Sequence, residues 1–330
     1  MLEILKKVPM AICGLILGIA SLGNLFVNEN LASIGNIWGV IAMILMAIVI
    51  LKLALAGGSV WQELTNPMSA ATMPTFTMAL MVIATFWGRW GFHTFGLILW
   101  CVAIAIHLFI TGTFIYLHLI KPEVGIEHVY PSWFVTFVGI GVVPVTASQF
   151  IPLLGRILLY VALVFYVILL PIVLWRLYKY KEMPEGALPL ITITAAPASL
   201  CLTGYLFSFA QFNVLFASAL GILAQLLYFT TILTMLRIYV SSRHSLLHFF
   251  PSFAAFTFPM VISSTGLFLL MTRLPQTSFT IAGTWLAYIE QGFSVVVILF
   301  VLVQYARFLR ITITEHVHTS NVGNKEVSNY

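Results

Sequence analysis

The chain has 330 residues, 61% of them hydrophobic and only 8% charged, with a mean hydropathy of +1.05. Soluble domains carry about 25% charged residues, so this chain cannot cover a water-facing surface of ordinary size. Its net charge of +5 comes from 15 Lys and Arg against ten acids, all of them Glu. That charge is too thinly spread to bind nucleic acid.

A helical membrane span needs about 20 mostly apolar residues. Ten such runs follow one another: Pro9–Phe26, Ile34–Leu55, Ala70–Trp87, Phe95–Leu119, Trp133–Ser148, Leu153–Leu177, Ala187–Phe209, Val214–Tyr239, Phe253–Arg273 and Phe279–Arg307. Each is far longer than a barrel strand and continuously apolar, which predicts helices. The first run follows Lys6 and Lys7 and leads straight into the others, so it reads as a span and not as a cleaved leader. Residues 1–310 are therefore expected to form one membrane domain, and the polar residues 311–330 a disordered cytoplasmic tail.

Basic residues fall unevenly between the runs. The N-terminal side and both termini hold twelve of them, and the opposite side only Arg89, Arg156 and Arg273. The positive-inside rule then places both termini in the cytoplasm, which requires an even number of spans and agrees with ten.

The odd-numbered runs carry Pro9, Pro74, Pro144, Pro197 and Pro259, spaced 53 to 70 residues apart, about one helical hairpin each. Runs five and seven are rich in Gly, Ala, Ser and Thr, whereas run six is Leu, Val, Ile, Tyr and Phe. Five hairpins, with odd helices inside and even helices against lipid, account for both patterns; close packing of small residues accounts for one or two helices. A proline removes a backbone hydrogen bond and weakens the helix. The half-helix after it then begins with a positive end near the membrane centre. Five helices about 9–10 Å apart leave a lumen of about 2–3 Å radius.

Few residues suit chemistry. The odd runs hold no Asp, Glu, Lys or His in their central portions, so a lumen lined by them favours anions and lacks the fixed cation a dicarboxylate site prefers. Glu290 and His107 read as hydrogen-bonded packing residues. His244 and His248 are four apart at an interfacial end, and Cys13, Cys101 and Cys201 lie in apolar runs as small core residues. No nucleotide loop, nucleophile elbow, zinc motif or paired intramembrane His is present, so neither an enzyme nor a cofactor or metal protein is expected. Pore-lining and helix-kink candidates are Pro9, Gly14, Gly18, Pro74, Gly139, Gly141, Pro144, Thr194, Pro197, Pro259 and Ser263. Of the residues preceding the five prolines, only Phe258 is aromatic. A phenyl ring there closes a lumen of that width or else packs between helices.

Three short motifs recur in order within this layout: Gly14-Leu15-Ile16-Leu17-Gly18-Ile19-Ala20, Ala196-Pro197-Ala198 with Tyr205, and Thr257-Phe258-Pro259. In them the chain resembles the TehA family of bacterial tellurite-resistance and dicarboxylate-transporter homologues and plant guard-cell slow anion channels. The resemblance implies an all-α membrane protein of ten helices, five inside and five outside, and a homotrimer with one pore per subunit in a bacterial inner or plasma membrane. It also implies a ninth-helix Phe that occludes the pore, which maps onto Phe258. The function it implies is gated passage of small inorganic anions such as chloride or nitrate, or else carriage of C4-dicarboxylates or tellurite-related oxyanions. The first proline lies at the very start of its run, so a weaker kink is expected there.

Overall fold

The computed structural model describes residues 2–121, 125–180, 182–241 and 249–327, all helix, turn or loop. His244 and His248 lie outside them. The helices are α1 (Leu2–Lys7), α2 (Ile12–Asn28), α3 (Ala32–Thr65), α4 (Pro67–Thr72), α5 (Thr75–Arg89), α6 (His93–Ile115), α7 (Trp133–Phe137), α8 (Val142–Thr146), α9 (Pro152–Lys179), α10 (Ala196–Ser208), α11 (Val214–Ser241), α12 (Thr257–Arg273) and α13 (Ser278–Val327). α13 runs through the last described residue, 327.

Among the described residues, eight helical stretches are long and apolar enough to cross a membrane. Two of the ten runs are not. The first forms the 17-residue α2, whose length of about 25 Å is short of a hydrocarbon core of about 30 Å. The fifth is divided into α7, a 3-10 turn at Gly139–Gly141, α8 and a second 3-10 turn at Ala147–Gln149. Two glycines one residue apart lose more backbone entropy in a helix than other residues, and Pro144 removes a donor just beyond them. No continuous helix survives that combination.

The other odd-numbered runs also break near their prolines. α1 stops at Lys7 and α2 starts at Ile12, so the chain breaks around Pro9 as fully as elsewhere, against the weaker kink expected there. α4 is capped by Asn66, whose Oδ1 accepts from the amides of Met68 (3.0 Å) and Ser69 (3.3 Å), and α5 begins directly after Pro74. Stretches of 3-10 helix, Glu185–Ala195 and Pro251–Phe256, lead into α10 and α12.

Burial separates the two sets of runs. In Pro67–Arg89, Glu185–Ser208 and Pro251–Arg273, 83% to 89% of the central residues are buried. In the five even-numbered helices the share is 28% to 33%. Such helices turn Ile37, Phe109, Val167, Leu215 and Ile289 outward, an arrangement that suits a lipid solvent. The buried segments meet in sequence: α2 packs on α5, α5 on α8, α8 on α10, α10 on α12, and α12 on α2 again. Each also packs against the even-numbered helix that follows it.

Two glycines mark close approaches between buried segments. A Cβ on Gly18 would lie 2.6 Å from Thr257 Oγ1 and 2.7 Å from its Cβ, and the Thr257 hydroxyl donates to the Gly14 carbonyl at 2.9 Å. One turn of α2 therefore lies flat on the start of α12. A Cβ on Gly204 would lie 2.9 Å from the Pro144 ring, so α10 approaches α8 where that segment is broken.

Candidate functional site

Two cavities lie between the five buried segments. Cavity one, about 60 Å³, is lined by Gly14 and Leu17 of α2, Thr75 and Met78 of α5, Val138 and Gly139, Ala196 and Pro197 of α10, and Phe258 and Pro259 of α12, among others. Cavity two, about 130 Å³, is lined by Ser21 and Asn24 of α2, Thr85 and Arg89 of α5, Ser148 and Gln149 after α8, Phe207 of α10, and Ile262 and Thr265 of α12, among others. About 10–15 Å³ holds one water, so each has room for several.

The two linings share only Leu200 and Phe258. In every segment the cavity-one residues precede the cavity-two residues along the chain, so all five run the same way along the line joining the cavities. Phe258 and Leu200 form the partition between them, and both are buried.

Cavity one gathers helix starts. Ala11 at the N-cap of α2, Thr75 opening α5, Ala196 and Pro197 opening α10, and Phe258 near the start of α12 all line it. No side chain caps any of these four helices. A helix N-terminus carries about half a positive elementary charge, so four of them place a positive field on an otherwise apolar chamber.

Of the residues singled out in the sequence, the structure brings Gly14, Gly139, Pro197, Phe258 and Pro259 together on cavity one. Pro9, Gly18, Pro74, Gly141, Pro144, Thr194 and Ser263 line neither cavity. Gly18 and Pro144 lie at helix contacts, and Gly141 faces Leu200 and Ala162. The Thr194 hydroxyl lies 2.9 Å from that of Thr231 on α11, and Ser263 Oγ accepts from Gln225 of α11 at 3.3 Å. Both turn outward because a small polar side chain in an apolar setting is held by whichever partner is in reach.

Three charged residues have roles that their sequence positions do not suggest. Arg89, the last residue of α5, lines cavity two, just past the end of a run whose sequence shows no cation. Its Nη2 donates to Asn24 Oδ1 at 2.6 Å, its Nη1 to Thr85 Oγ1 at 3.3 Å, and its guanidinium lies 4.5 Å from the Phe86 ring centre. Lys52 is fully buried within α3, which runs on to Thr65 past an irregular turn at Ala56, where an interfacial loop is expected. Its Nζ bonds Glu63 Oε1 at 2.7 Å and the Val8 carbonyl at 2.5 Å, and Glu63 Oε2 accepts from the Met10 amide at 3.1 Å. This pair clamps the break around Pro9, just before the first residue of cavity one. A lysine 13 residues before the end of a long helix is the sequence signal for it. Glu290 is buried on α13 beside the Ser263 and Gln225 side chains, its hydrogen-bonding neighbours on α12 and α11.

His107 is fully buried, its Nδ1 2.8 Å from the Thr77 hydroxyl, which also donates to the Pro74 carbonyl at 2.8 Å. The ring thus ties α6 to the break that opens α5, as a hydrogen-bonded packing residue does.

Comparison with known proteins agrees with this architecture. An alignment 148 positions long, covering 41% of this chain, is 24% identical to an uncharacterized transporter of Methanocaldococcus jannaschii. The match spans 42% of that relative's length. The profile of the family described as voltage-dependent anion channel, SLAC1, matches residues 7–309, which takes in both cavities and every helix from α2 through the apolar part of α13. The chain belongs to the voltage-dependent anion channel family.

Proposed function

We propose that the protein is a passive, gated channel for small monovalent anions such as chloride and nitrate. In this reading the chain crosses the membrane ten times as five hairpins, with both termini in the cytoplasm. Its pore runs within the subunit from cavity one through Phe258 and Leu200 to cavity two, and three subunits assemble with three separate pores. The observation that carries it is the pair of cavities, lined by the same five segments and parted by two apolar side chains. Hydrophobic constrictions of this kind stop ions by excluding water. Four uncapped helix starts on cavity one and an arginine on cavity two favour anions along the whole path.

The test is single-channel recording of Phe258→Ala beside wild type in planar bilayers. Removing the ring is expected to raise conductance about tenfold or more, with currents reversing near the anion equilibrium potential. Unchanged conductance in well-folded Phe258→Ala protein overturns the gate. Reversal that follows the potassium or sodium gradient overturns the channel's selectivity.

A second reading, carriage of C4-dicarboxylates or tellurite-related oxyanions, gains from Arg89, which supplies the membrane cation such a substrate prefers. The matched relative is also described as a transporter. Saturable uptake of labelled malate into proteoliposomes, without unitary currents in wild type or Phe258→Ala, is the result that favours it.

A further inference from the structure

We propose that Arg89 is the centre of an anion-binding site in cavity two, built for a small planar oxyanion of the nitrate or monocarboxylate class. This rests on the channel reading above and adds to it where an ion stops and what shape it has.

Charge balance comes first. Among the described residues no carboxylate pairs with Arg89, in contrast to Lys52, which pairs with Glu63. A half-buried guanidinium without a countercharge, on the wall of a cavity with room for several waters, is a place an anion is drawn to.

Geometry comes next. Asn24 and Thr85 each take one guanidinium bond. With its amide oxygen turned to the arginine, Gln149 accepts from Nη1 at 3.0 Å and donates to the Thr85 carbonyl at 3.0 Å. The buried Nε–H has no acceptor. A guanidinium has five donors in a flat fork, so donors remain after these neutral partners are served. The partners hold the fork in place; they do not neutralise it. A planar oxyanion can take two parallel bonds from such a fork, which a spherical halide cannot. Ser21 and Ser148 bring hydroxyls to the same cavity, as donors for the remaining oxygen, whereas the Thr265 hydroxyl there is already given to the Val261 carbonyl at 2.8 Å.

Position completes the case. Phe258 lines this cavity, so an ion held by Arg89 waits beside the partition. Conductance should then saturate with anion concentration and distinguish nitrate from chloride.

The experiment uses the full chain in nanodiscs and bilayers, as wild type, Arg89→Gln, Arg89→Lys and Arg156→Gln. Arg156 is an exposed arginine that donates to the Ser208 carbonyl at 3.2 Å and lines neither cavity, so it controls for the lost charge. Sodium nitrate, chloride and gluconate are compared by thermal unfolding, and conductance is recorded against nitrate and chloride concentration. Nitrate is expected to stabilise wild type and Arg156→Gln more than chloride does. Arg89→Gln should lose that difference and raise the half-saturating nitrate concentration by about tenfold or more, the worth of one charge-assisted hydrogen bond. Arg89→Lys should retain anion stabilisation but lose the preference for nitrate, because an ammonium has no fork. Equal stabilisation by nitrate and chloride in wild type overturns the site, as does an unchanged nitrate preference in Arg89→Gln. Arg89-dependent nitrate stabilisation in a protein that passes no anion current upholds the site and overturns the channel reading.

Discussion

Phe258 and Glu290 show how differently two buried side chains act in one bundle. Phe258 belongs to the apolar core and lines a cavity on either side, so under the proposed channel reading its removal bears on permeation as well as stability. Were it only packing, Phe258→Ala would cost about 3–5 kcal/mol and lower folded yield with no gain in current. A graded series separates the two: Phe258→Leu should conduct less than Phe258→Ala, because more bulk stays in the path. Glu290 acts through its neighbours. Its carboxyl is buried beside the Ser263 and Gln225 side chains, and a buried polar group left without its partner costs about 1–3 kcal/mol or more when charged. Glu290→Leu should therefore lower the unfolding temperature more than Glu290→Gln, which keeps a hydrogen-bonding side chain of the same shape. Equal losses in the two variants would mean that the carboxyl serves only as bulk.

Breaks in the buried segments place the helix starts, and two kinds of contact hold the breaks. At the first, the Lys52–Glu63 pair clamps Val8 and Met10 on either side of Pro9. Removing one member of a buried pair strands the other charge at about 3–5 kcal/mol, and the lower end applies because Glu63 stays 27% exposed. Lys52→Met should thus destabilise the protein more than the double variant Lys52→Met/Glu63→Gln, measured by thermal unfolding in the same detergent. The second contact is steric. Gly18 has no space for a Cβ against Thr257, so Gly18→Ala must push α2 away from the first turn of α12, at about 1–3 kcal/mol for overpacking. That turn carries Phe258, so altered conductance should accompany the lost stability. Gly57→Ala, with open space around it inside α3, should leave conductance unchanged and lose no stability, since alanine favours a helix over glycine.

For the whole molecule, the even-numbered helices present apolar side chains over most of their outward surface. Lipid covers such a surface equally well in a monomer or an oligomer, so assembly must come from particular helix faces. The proposed trimer should show a mass near three times 36.7 kDa in nanodiscs after lipid and scaffold are subtracted. Co-assembly of wild type with Phe258→Ala should give unitary currents that add as independent pores. A single shared conductance level would mean one pore per oligomer.

The membrane class and helical architecture are legible in the sequence because hydrophobic length and charge asymmetry report directly on the solvent around each segment. Five prolines at hairpin intervals mark where the buried segments break, and Thr257-Phe258-Pro259 marks the residue that parts the cavities. Other features depend on coordinates. Cavity-facing and outward-facing positions on broken helices follow no 3.6-residue period once 3-10 turns intervene, so Thr194 and Ser263 face α11 while Leu200 lines both cavities. Arg89 stands at the end of a run and reads as an interfacial charge. Only the way α2, α5 and the segment around Gln149 pack side by side puts its guanidinium on the wall of a cavity. Lys52 and Glu63 are eleven residues apart, three helical turns, and come within hydrogen-bonding distance because α3 deforms at Ala56. Apolar length and charge asymmetry are additive along a chain, so the sequence determines them. Which side chains share a cavity depends on contacts between distant segments, and that only the tertiary structure decides.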